Sequence, residues 1–375
     1  MPKSLFRSIT KKFFIISNII LAVLFLLGCY GGLLNPQYWW PLGFLTLAAF
    51  YLLALLVVFI VFWLFVKPKL VFISFAAIAI SYKPISNIIP FRFSSSFAKQ
   101  KQAGALRIMS WNVEHFDILE HKTHPERKQE MLDLIKEYQP DIACYQEMVG
   151  SDSIRTAINY IPDMMQQMSM EYSHYSYNRK IDFDGNHHFG IITFSKYPII
   201  NKQTISFYPY DYNSIFQYCD IVKATDTFRV FNIHLQSLKF STTNLKFIDN
   251  PEMKTEQDVE QSKNLIYKLK IGFIKRKTQS ERIKDEMEKS PYPVIVCGDF
   301  NDVPNSYAYT TIGKGLQNTF AEKGSGISRT FTGISPTLRI DNIFVSPVFL
   351  VQQFTRINKK LSDHFPIFAD VELKK

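Results

Sequence analysis

Polar side chains that could bind a cation or move a proton follow the strand-like runs of this 375-residue chain. In the sequence GDFN, Asp299 and Asn301 are two residues apart, so on an extended backbone both side chains leave the same face. Other strand ends and one late loop supply carboxylates, carboxamides and imidazoles, namely Asn112, Glu114, Gln146, Glu147, His234, Asp341, Asp363 and His364. Because ligands of α/β domains gather at strand ends, we expect these residues to converge on one cleft.

The combination of residue types favours hydrolysis of a phosphate ester with the help of a hard cation. Each residue alone has a structural explanation, such as a turn former, a solvated charge or a core histidine, so only the combination indicates a site. A carboxylate with oxygen-rich neighbours, as Glu147 has in Asn112 and Gln146, suits Mg²⁺. Phosphate-ester hydrolysis needs charge neutralisation, an aligned water and donors for the developing charge, and the set contains a group for each.

Several other chemistries are poorly supported by the sequence. It has no Cys/His cluster with zinc spacing, no Walker A loop and no nucleophile elbow. The four cysteines lie in apolar runs with no disulfide-like spacing, so we expect all of them to be reduced and structural. Structural zinc, P-loop nucleotide binding, serine acyl transfer and a disulfide framework are therefore disfavoured.

The elements that must position these side chains begin near Arg107, where strand-like and helical patterns start to alternate. Seven runs are typical of strands, most of them nearly continuous in apolar residues: RIMSWNV, DIACYQE, FGIITFS, FRVFNIHL, PVIVCGDF, RIDNIFVS and PIFADVEL. One amphipathic helix is predicted in THPERKQEMLDLIKEYQP and a second in KTQSERIKDEMEKS. This alternation predicts a layered α/β domain.

Residues 238–271 are polar and weakly patterned, which indicates an insertion in that domain. Two interpretations stay open for it. The first is a solvated helical excursion, and the second is a lid or membrane-facing loop over a site.

The amino-terminal part has the pattern of a membrane region. Residues 13–34 and Pro41–Val66 carry no charge over 22 and 26 residues, and about 20 residues cross the hydrocarbon of a bilayer. A third run, 70–86, reaches that length only by including Tyr82 and Lys83, so it could cross, re-enter or lie flat. We therefore expect a membrane region at 1–84, a linker at 85–104 and a soluble domain at 105–375.

The distribution of charge supports the same division. Of the 43 Lys and Arg, 11 lie in residues 1–113, where there is no Asp or Glu, and the remaining 32 accompany 33 acidic residues. The near-neutral soluble part therefore lacks the basic excess that favours binding to duplex DNA. Basic residues precede the first span and follow the second, which places both ends in the cytoplasm: Lys3, Arg7, Lys11, Lys12, Lys67 and Lys69.

A third crossing would place the soluble domain outside, in the periplasm of a bacterium, with the chain held in the cytoplasmic membrane. A cleavable signal peptide and a lipidation site at Cys29 are alternative interpretations of the first run. The second long apolar span argues against either as a full account.

The soluble part resembles the endonuclease/exonuclease/phosphatase superfamily. The matching blocks are SWNVEHF, PDIACYQE, FGIITFSKYPI, NIHLQS, VIVCGDFND, RIDNIFVS and SDHFPIFADVEL, in the family's order. GDFN with a following SDH and an upstream QE is a specific combination. The resemblance implies a four-layer α/β/β/α sandwich of the deoxyribonuclease I type, with a site at the mouth between two sheets and one or two Mg²⁺ or Mn²⁺ ions.

The resemblance also implies a metal set and a catalytic set. Glu147 would be the principal metal ligand, Asn112 would lie close to the metal and the phosphate, and Asp363 would assist the metal or its water. Asp299 would position or activate the attacking water, and Asn301 would donate to the phosphate. The remaining catalytic residues would be His364 as base or electrostatic partner, Asp341 as the group that fixes its tautomer, and His234 beside the leaving group.

Two departures from the family pattern affect the choice of substrate. Glu114 stands where apurinic endonucleases commonly have Asp, and their middle tyrosine has no secure counterpart. His187 and His188 precede FGIITFS, and we expect His188 to contribute to substrate binding. DNA repair is therefore not favoured.

The expected function is that of a membrane-tethered, divalent-metal-dependent phosphoesterase. Its partners would be the lipid bilayer and a phosphate-ester substrate, either nucleic acid or a phospholipid headgroup, and no protein partner is implied. The alternative is a membrane-bound scaffold that keeps the fold without turnover.

Overall fold

The computed structural model describes residues 3–92, 96–151, 158–178, 186–207, 215–238, 240, 244, 247–248 and 255–374. The amino-terminal helices are α1 (Lys3–Tyr30), α2 (Pro36–Trp39), α3 (Pro41–Val66), α4 (Val71–Ile80) and α5 (Tyr82–Ile88). Among described residues, two stretches are long and apolar enough to cross a membrane, Phe6–Leu33 and Pro41–Val66. The pair Pro68–Ile80 and Tyr82–Ile88 is bent by 69° and adds a third if it is one broken span. Two long apolar helices therefore precede the strands and helices of the following domain, as predicted.

Twelve strands in the described residues form two mixed six-stranded sheets. The first contains β1 (Leu106–Asn112), β2 (Ile142–Ser151), β3 (Tyr172–Tyr177), β4 (His187–Ser195), β11 (Phe349–Arg356) and β12 (Ile367–Leu373), in the spatial order β11-β12-β1-β2-β4-β3. The second contains β5 (Ile199–Ser206), β6 (Ile215–Lys223), β7 (Asp226–His234), β8 (Val294–Asp299), β9 (Gln317–Asn318) and β10 (Asp341–Val345), in the order β5-β6-β7-β8-β10-β9. In each sheet one central pair is parallel, β1 with β2 and β7 with β8.

Helices cover the outer face of each sheet, which completes the four layers. They are α6 (Arg127–Tyr138), α7 (Ile161–Met168), α8 (Glu256–Glu288), α9 (Tyr307–Gly313) and α10 (Thr319–Lys323). Because successive side chains of a strand point to opposite faces, Ile108 packs between the sheets with Cys219. Met109 and Trp111 face outward and pack under Leu132 of α6. The predicted α/β/β/α sandwich is confirmed.

The seven predicted strand runs all form strands, and the first predicted helix is α6. The second predicted helix is the carboxyl-terminal part of α8, which begins far earlier, at Glu256. Its start is fixed by a capping box, in which Thr255 and Asp258 each accept a hydrogen bond from the other's backbone N–H. Half of the predicted 238–271 insertion is therefore helix; residues 239, 241–243, 245–246 and 249–254 lie outside the described residues.

Part of the segment predicted as a linker is packed on the sandwich. Phe91 forms an isolated bridge with Ser325, and Arg92 Nε donates to the carbonyl of Ala321 at 3.2 Å. Phe97 packs against the outer core of the first sheet. The described parts of this segment therefore pack on the sandwich. All four cysteines are free and buried, as predicted.

Candidate active site

The two parallel strand pairs bring the predicted site residues to one end of the sandwich. Asn112 ends β1 beside Gln146 of β2, and His234 ends β7 beside Asp299 of β8. The ends of parallel strands meet at the same edge of a sheet, and the two sheets face each other there. The Asn112 Nδ2 amide donates to Asp299 Oδ2 at 3.2 Å, which joins the two sheets at this edge.

A bulge in β2 turns Glu147 toward the space between the sheets. The pairing of β2 with β4 shifts register between Tyr145 and Met148, and Glu147 has a left-handed backbone with φ 55°. Bulges next to active sites commonly redirect a side chain in this way. Asn112 Nδ2 donates to Glu147 Oε1 at 3.2 Å, and His234 Nε2 lies 3.6 Å from the same oxygen.

The buried Asp299 carboxylate lies at the centre of the site. Its Oδ2 atom accepts from the Asn301 Nδ2 amide at 3.2 Å, and lies 3.5 Å from His234 Nε2 and 3.6 Å from His364 Nε2. Burial and the charge of Asp341 raise the pKa of Asp299, although the neighbouring imidazoles oppose that shift. Asp299 can therefore exchange a proton with either histidine after small movements.

His364 is held between two carboxylates. Its Nδ1 atom lies 2.8 Å from Asp341 Oδ2, and its backbone N–H donates to Ser362 Oγ. Burial by itself lowers the pKa of His364, but the charges of Asp341 and Asp299 outweigh it and raise the pKa well above its usual value. The contact with Asp341 fixes the orientation of the His364 ring.

Carboxylates crowd the open side of the site. The Glu147 side chain is 25% exposed, yet burial of its carboxylate and the charge of Asp363 raise its pKa to about 7. Glu114 accepts a hydrogen bond from the backbone N–H of Asp363, and burial and the charge of Asp363 raise its pKa also. These like charges repel one another, which is the arrangement of a site for a cation rather than of a structural ion pair.

Comparison with known proteins assigns the fold that holds this cluster. The model of the Endonuclease/Exonuclease/phosphatase family matches residues 109–364, more than half of the chain. The chain belongs to the endonuclease/exonuclease/phosphatase family. Residues 11–88 match a Domain of unknown function (DUF8431), and no curated protein matches the chain.

Similarity to solved structures supports the same fold. This chain is similar to an endonuclease/exonuclease/phosphatase from Beutenbergia cavernae DSM 12333, at 17% identity and a TM-score of 0.52 over 72% of each chain. A family protein from Bacteroides thetaiotaomicron aligns at 18% identity and a TM-score of 0.50, over 72% of this chain and 98% of that one. The human Nocturnin catalytic domain, with a bound sulfate anion, aligns at 16% identity and a TM-score of 0.50, over 73% of this chain and 95% of that one. At these identities the similarity shows the fold alone.

Endonuclease/exonuclease/phosphatase proteins are typically metal-dependent phosphoesterases, and the residues of this chain fit a divalent cation. Asp299, Asp341 and His364 offer three ligand atoms that lie within 4.8 Å of one another. Among the described residues, the buried Asp341 Oδ1 atom has no hydrogen-bond partner. Carboxylate oxygens such as those of Asp299 and Asp341 are the hard donors that Mg²⁺ or Mn²⁺ prefers.

His188 lies in the same sheet as Asn112 and Glu147, but its stacking partner is Tyr177 and not one of the other predicted site residues. It lies in β4, is 4% exposed, and stacks on Tyr177 with ring centroids 4.1 Å apart. Its partner across the ladder to β2 is Gly150, three residues beyond Glu147. Its contribution to substrate binding stays a prediction.

A buried amide pair lies beneath the site, and one of its members, Asn232, was not among the predicted site residues. Gln146 Nε2 of the first sheet donates to Asn232 Oδ1 of the second at 2.7 Å, and Asn232 Nδ2 donates to the Ile192 carbonyl. This pair joins the sheets directly below the strand ends. The signal was present, since Asn232 is two residues before His234 in NIHL and so shares its face.

Proposed function

We propose that this chain is a membrane-tethered, Mg²⁺- or Mn²⁺-dependent phosphoesterase that hydrolyses a phosphodiester or phosphomonoester with an activated water. The observation that carries the proposal is the convergence of both sheets on one oxygen atom, Asp299 Oδ2. Asn112, Asn301, His234 and His364 each place a side-chain nitrogen within 3.6 Å of it. Such mutual geometry is what general acid–base catalysis requires.

We assign Glu147, Asn112 and Asp363 to the metal site. Glu147 is the most accessible of the central carboxylates, and the charge of Asp363 acts on it directly. A divalent cation held there would neutralise charge on the phosphate oxygens.

The remaining residues divide into a water site and a phosphate site. Asp299 orients the attacking water and takes its proton, while the Asn301 amide, 3.2 Å from Asp299, donates to the phosphate as charge develops. His364, charged and fixed by Asp341, stabilises the same charge. His234 lies near both Glu147 and Asp299 and donates a proton to the leaving oxygen.

The contact between the membrane region and the sandwich supports a catalytic domain on the side of the membrane opposite the cytoplasm. The turn between α1 and α3 packs against residues 305–306 of the sandwich, whereas Lys67 and Lys69 follow the opposite end of α3. Since those lysines favour the cytoplasm, the sandwich belongs to the other side. The broken pair α4 and α5 then completes a third crossing.

A test of the proposal is turnover of bis(p-nitrophenyl) phosphate by the full-length protein in detergent. We expect turnover with Mg²⁺ or Mn²⁺, its loss with chelator, and losses of about a hundredfold or more in Asp299→Asn and His364→Asn. Asp226→Asn is the matched control, because Asp226 is an exposed carboxylate at the far end of β7. Metal-independent or absent turnover, equal in all variants, would favour the scaffold alternative.

A further inference from the structure

We propose that the substrate is a phosphodiester carried by a membrane lipid, because the membrane helices hold the mouth of the catalytic cleft at the bilayer surface. The inference rests on the proposed function and adds the class of substrate. Two segments of the sandwich, 302–307 and 331–337, lie between catalytic residues and the membrane helices. We name them the first lip and the second lip.

The first lip directly follows Asn301 and is held by the membrane region. A Cβ atom at Gly32 would overlap the carbonyl oxygen of Asn305 and lie 2.7 Å from that of Ser306, so this approach requires glycine. Asn87 Nδ2 of α5 donates to Asn305 Oδ1 at 2.9 Å. Asn305 Nδ2 in turn donates to the Pro84 carbonyl at 2.9 Å. The orientation of the sandwich is therefore fixed by specific contacts rather than by a loose tether.

The second lip connects His364 to membrane helix α3. The rings of Phe331 and His364 have centroids 5.0 Å apart, and the backbone N–H of Thr332 donates to the Asp363 carbonyl. Four residues past Phe331, Ser335 Oγ shares a 2.9 Å hydrogen bond with the hydroxyl of Tyr51 in α3.

The position of Tyr51 along α3 gives the depth of the second lip. At 1.5 Å per residue, the 26 residues of α3 measure about 39 Å, longer than the roughly 30 Å of bilayer hydrocarbon. Counted from Val66, which precedes Lys67, the hydrocarbon ends about 20 residues on, near residue 47. Tyr51 lies just inside that limit, so the second lip reaches the boundary between headgroups and acyl chains.

An apolar side chain stands at the tip of the second lip in an unfavourable backbone conformation. Ile334 has φ 61° and is 38% exposed. A β-branched residue rarely adopts this conformation, whereas Gly or Asn adopts it readily. Strain of this kind is concentrated at functional sites, and insertion into a membrane surface would explain an exposed isoleucine there.

A groove for an acyl chain lies next to the same contact. Helices α3, α4 and α5 enclose about 420 Å³ lined by apolar side chains, among them Leu53, Val57, Ile78, Ile85 and Phe91. Ala54, which also lines the groove, is three residues from Tyr51 and so lies one turn away on the same side of α3. An acyl chain in the groove would leave its headgroup near the lip that contacts His364.

The proposed reaction is hydrolysis by one water molecule, with Asp299 and His234 transferring the protons. The water oxygen forms a bond to phosphorus, and the bond from phosphorus to the glycerol oxygen of the lipid breaks. Asp299 takes the proton of the water, His234 gives a proton to the glycerol oxygen, and the proton returns from Asp299 to His234 across 3.5 Å. The products are diacylglycerol and the phosphorylated headgroup.

The test uses the full-length protein in lipid nanodiscs, which expose both membrane faces. The lipid arm contains phosphatidylethanolamine and phosphatidylglycerol, the soluble arm their deacylated glycerophosphodiesters, and a third arm single-stranded DNA. Because a shared bilayer raises the effective concentration of lipid to the millimolar range, we expect lipid turnover about tenfold above that of soluble diester at about 0.1 mM.

The matched variants are Ile334→Asn at the second lip and Val348→Asn at the opposite end of the sandwich. Val348 is 44% exposed in the turn after β10, so its substitution should leave every arm unchanged. Ile334→Asn should lower the ratio of lipid to soluble turnover by about fivefold or more, since it removes an apolar anchor. Its unfolding midpoint should not fall, because Asn tolerates the left-handed backbone.

Three outcomes overturn the inference. These are lipid turnover no faster than that of the soluble diester, DNA cleavage faster than lipid turnover, or an unchanged ratio in Ile334→Asn. In all three, bis(p-nitrophenyl) phosphate is still hydrolysed and the proposed function stands. Absence of metal-dependent turnover in every arm, including that diester, overturns both.

Discussion

Buried charged groups lie at both ends of strand β1, but they are paired with opposite charges at one end and crowded with like charges at the other. At the start, Arg107 uses all five side-chain donors: two bind the carboxylate of Asp370, and the others bind the carbonyls of Ala98, Lys99 and Tyr138. At the other end, Asn112 opens onto the carboxylates of Glu147 and Glu114, whose pKa values are raised by burial and by the charge of Asp363. Paired charge of the first kind holds a fold together, whereas crowded like charge is kept only where a cation or a reaction uses it.

The largest effect that follows from this contrast concerns activity at the crowded end. Glu147→Gln should lower kcat/KM for bis(p-nitrophenyl) phosphate by about 10³- to 10⁴-fold, equivalent to about 4–5.5 kcal/mol of transition-state stabilisation. Its unfolding midpoint in chelator should stay level or rise, because burial and Asp363 disfavour the charge that is removed. A variant that unfolds early would mean that Glu147 is structural.

At the paired end, a substitution should lower stability and leave activity nearly unchanged. Arg107→Met leaves the buried Asp370 carboxylate without its cation and should destabilise the protein by about 3–5 kcal/mol. In urea unfolding, the double variant Arg107→Met with Asp370→Leu should recover part of that loss, because no buried charge remains. Turnover per folded molecule should be nearly unchanged. If the single variant were as stable as the parent, the contrast between the two ends would be lost.

The strands and site residues that could be predicted from the sequence are those with a local signal. Strands such as β2 and β8 are buried runs of apolar residues with polar ends, and both properties are visible in the sequence. The five strands that were not predicted are β3, β5, β6, β9 and β11. The edge strand β5 shows the reason, since most of its side chains are exposed or half-buried and polar, which weakens the alternating pattern.

Other features depend on tertiary contacts that no local pattern encodes. The convergence of Asn112 and Asp299 was predicted, but the bulge that turns Glu147 inward appears only in the register of β2 with β4. The packing of Gly32 on Asn305 joins residues about 270 positions apart, and Gly32 in the sequence indicates only a turn. The relation of the membrane region to the cleft therefore could not be inferred.

A buried histidine away from both ends of β1 should dominate the acid sensitivity of the fold. Burial lowers the pKa of His174 in β3 to about 4, from an ordinary value near 6.5. A depressed folded-state pKa contributes stability above pH 6.5 that is lost as the pH falls from 6.5 to 4, at most about 3 kcal/mol. His174→Gln should flatten the unfolding free energy across that interval. An unchanged slope would assign the acid sensitivity to other groups.

The smallest effect tests directly whether the crowded end is built for a cation. Mg²⁺ at about 100 times its dissociation constant should add about 2.7 kcal/mol to the free energy of unfolding, measured from thermal unfolding with and without chelator. The increment should vanish in Glu147→Gln and persist in Asp226→Asn, whose exposed carboxylate lies at the far end of β7. It should also persist in Arg107→Met, because the paired end takes no part in binding. Equal stabilisation of Glu147→Gln would place the cation elsewhere; among the described residues, Asp299, Asp341 and His364 offer ligand atoms within 4.8 Å of one another.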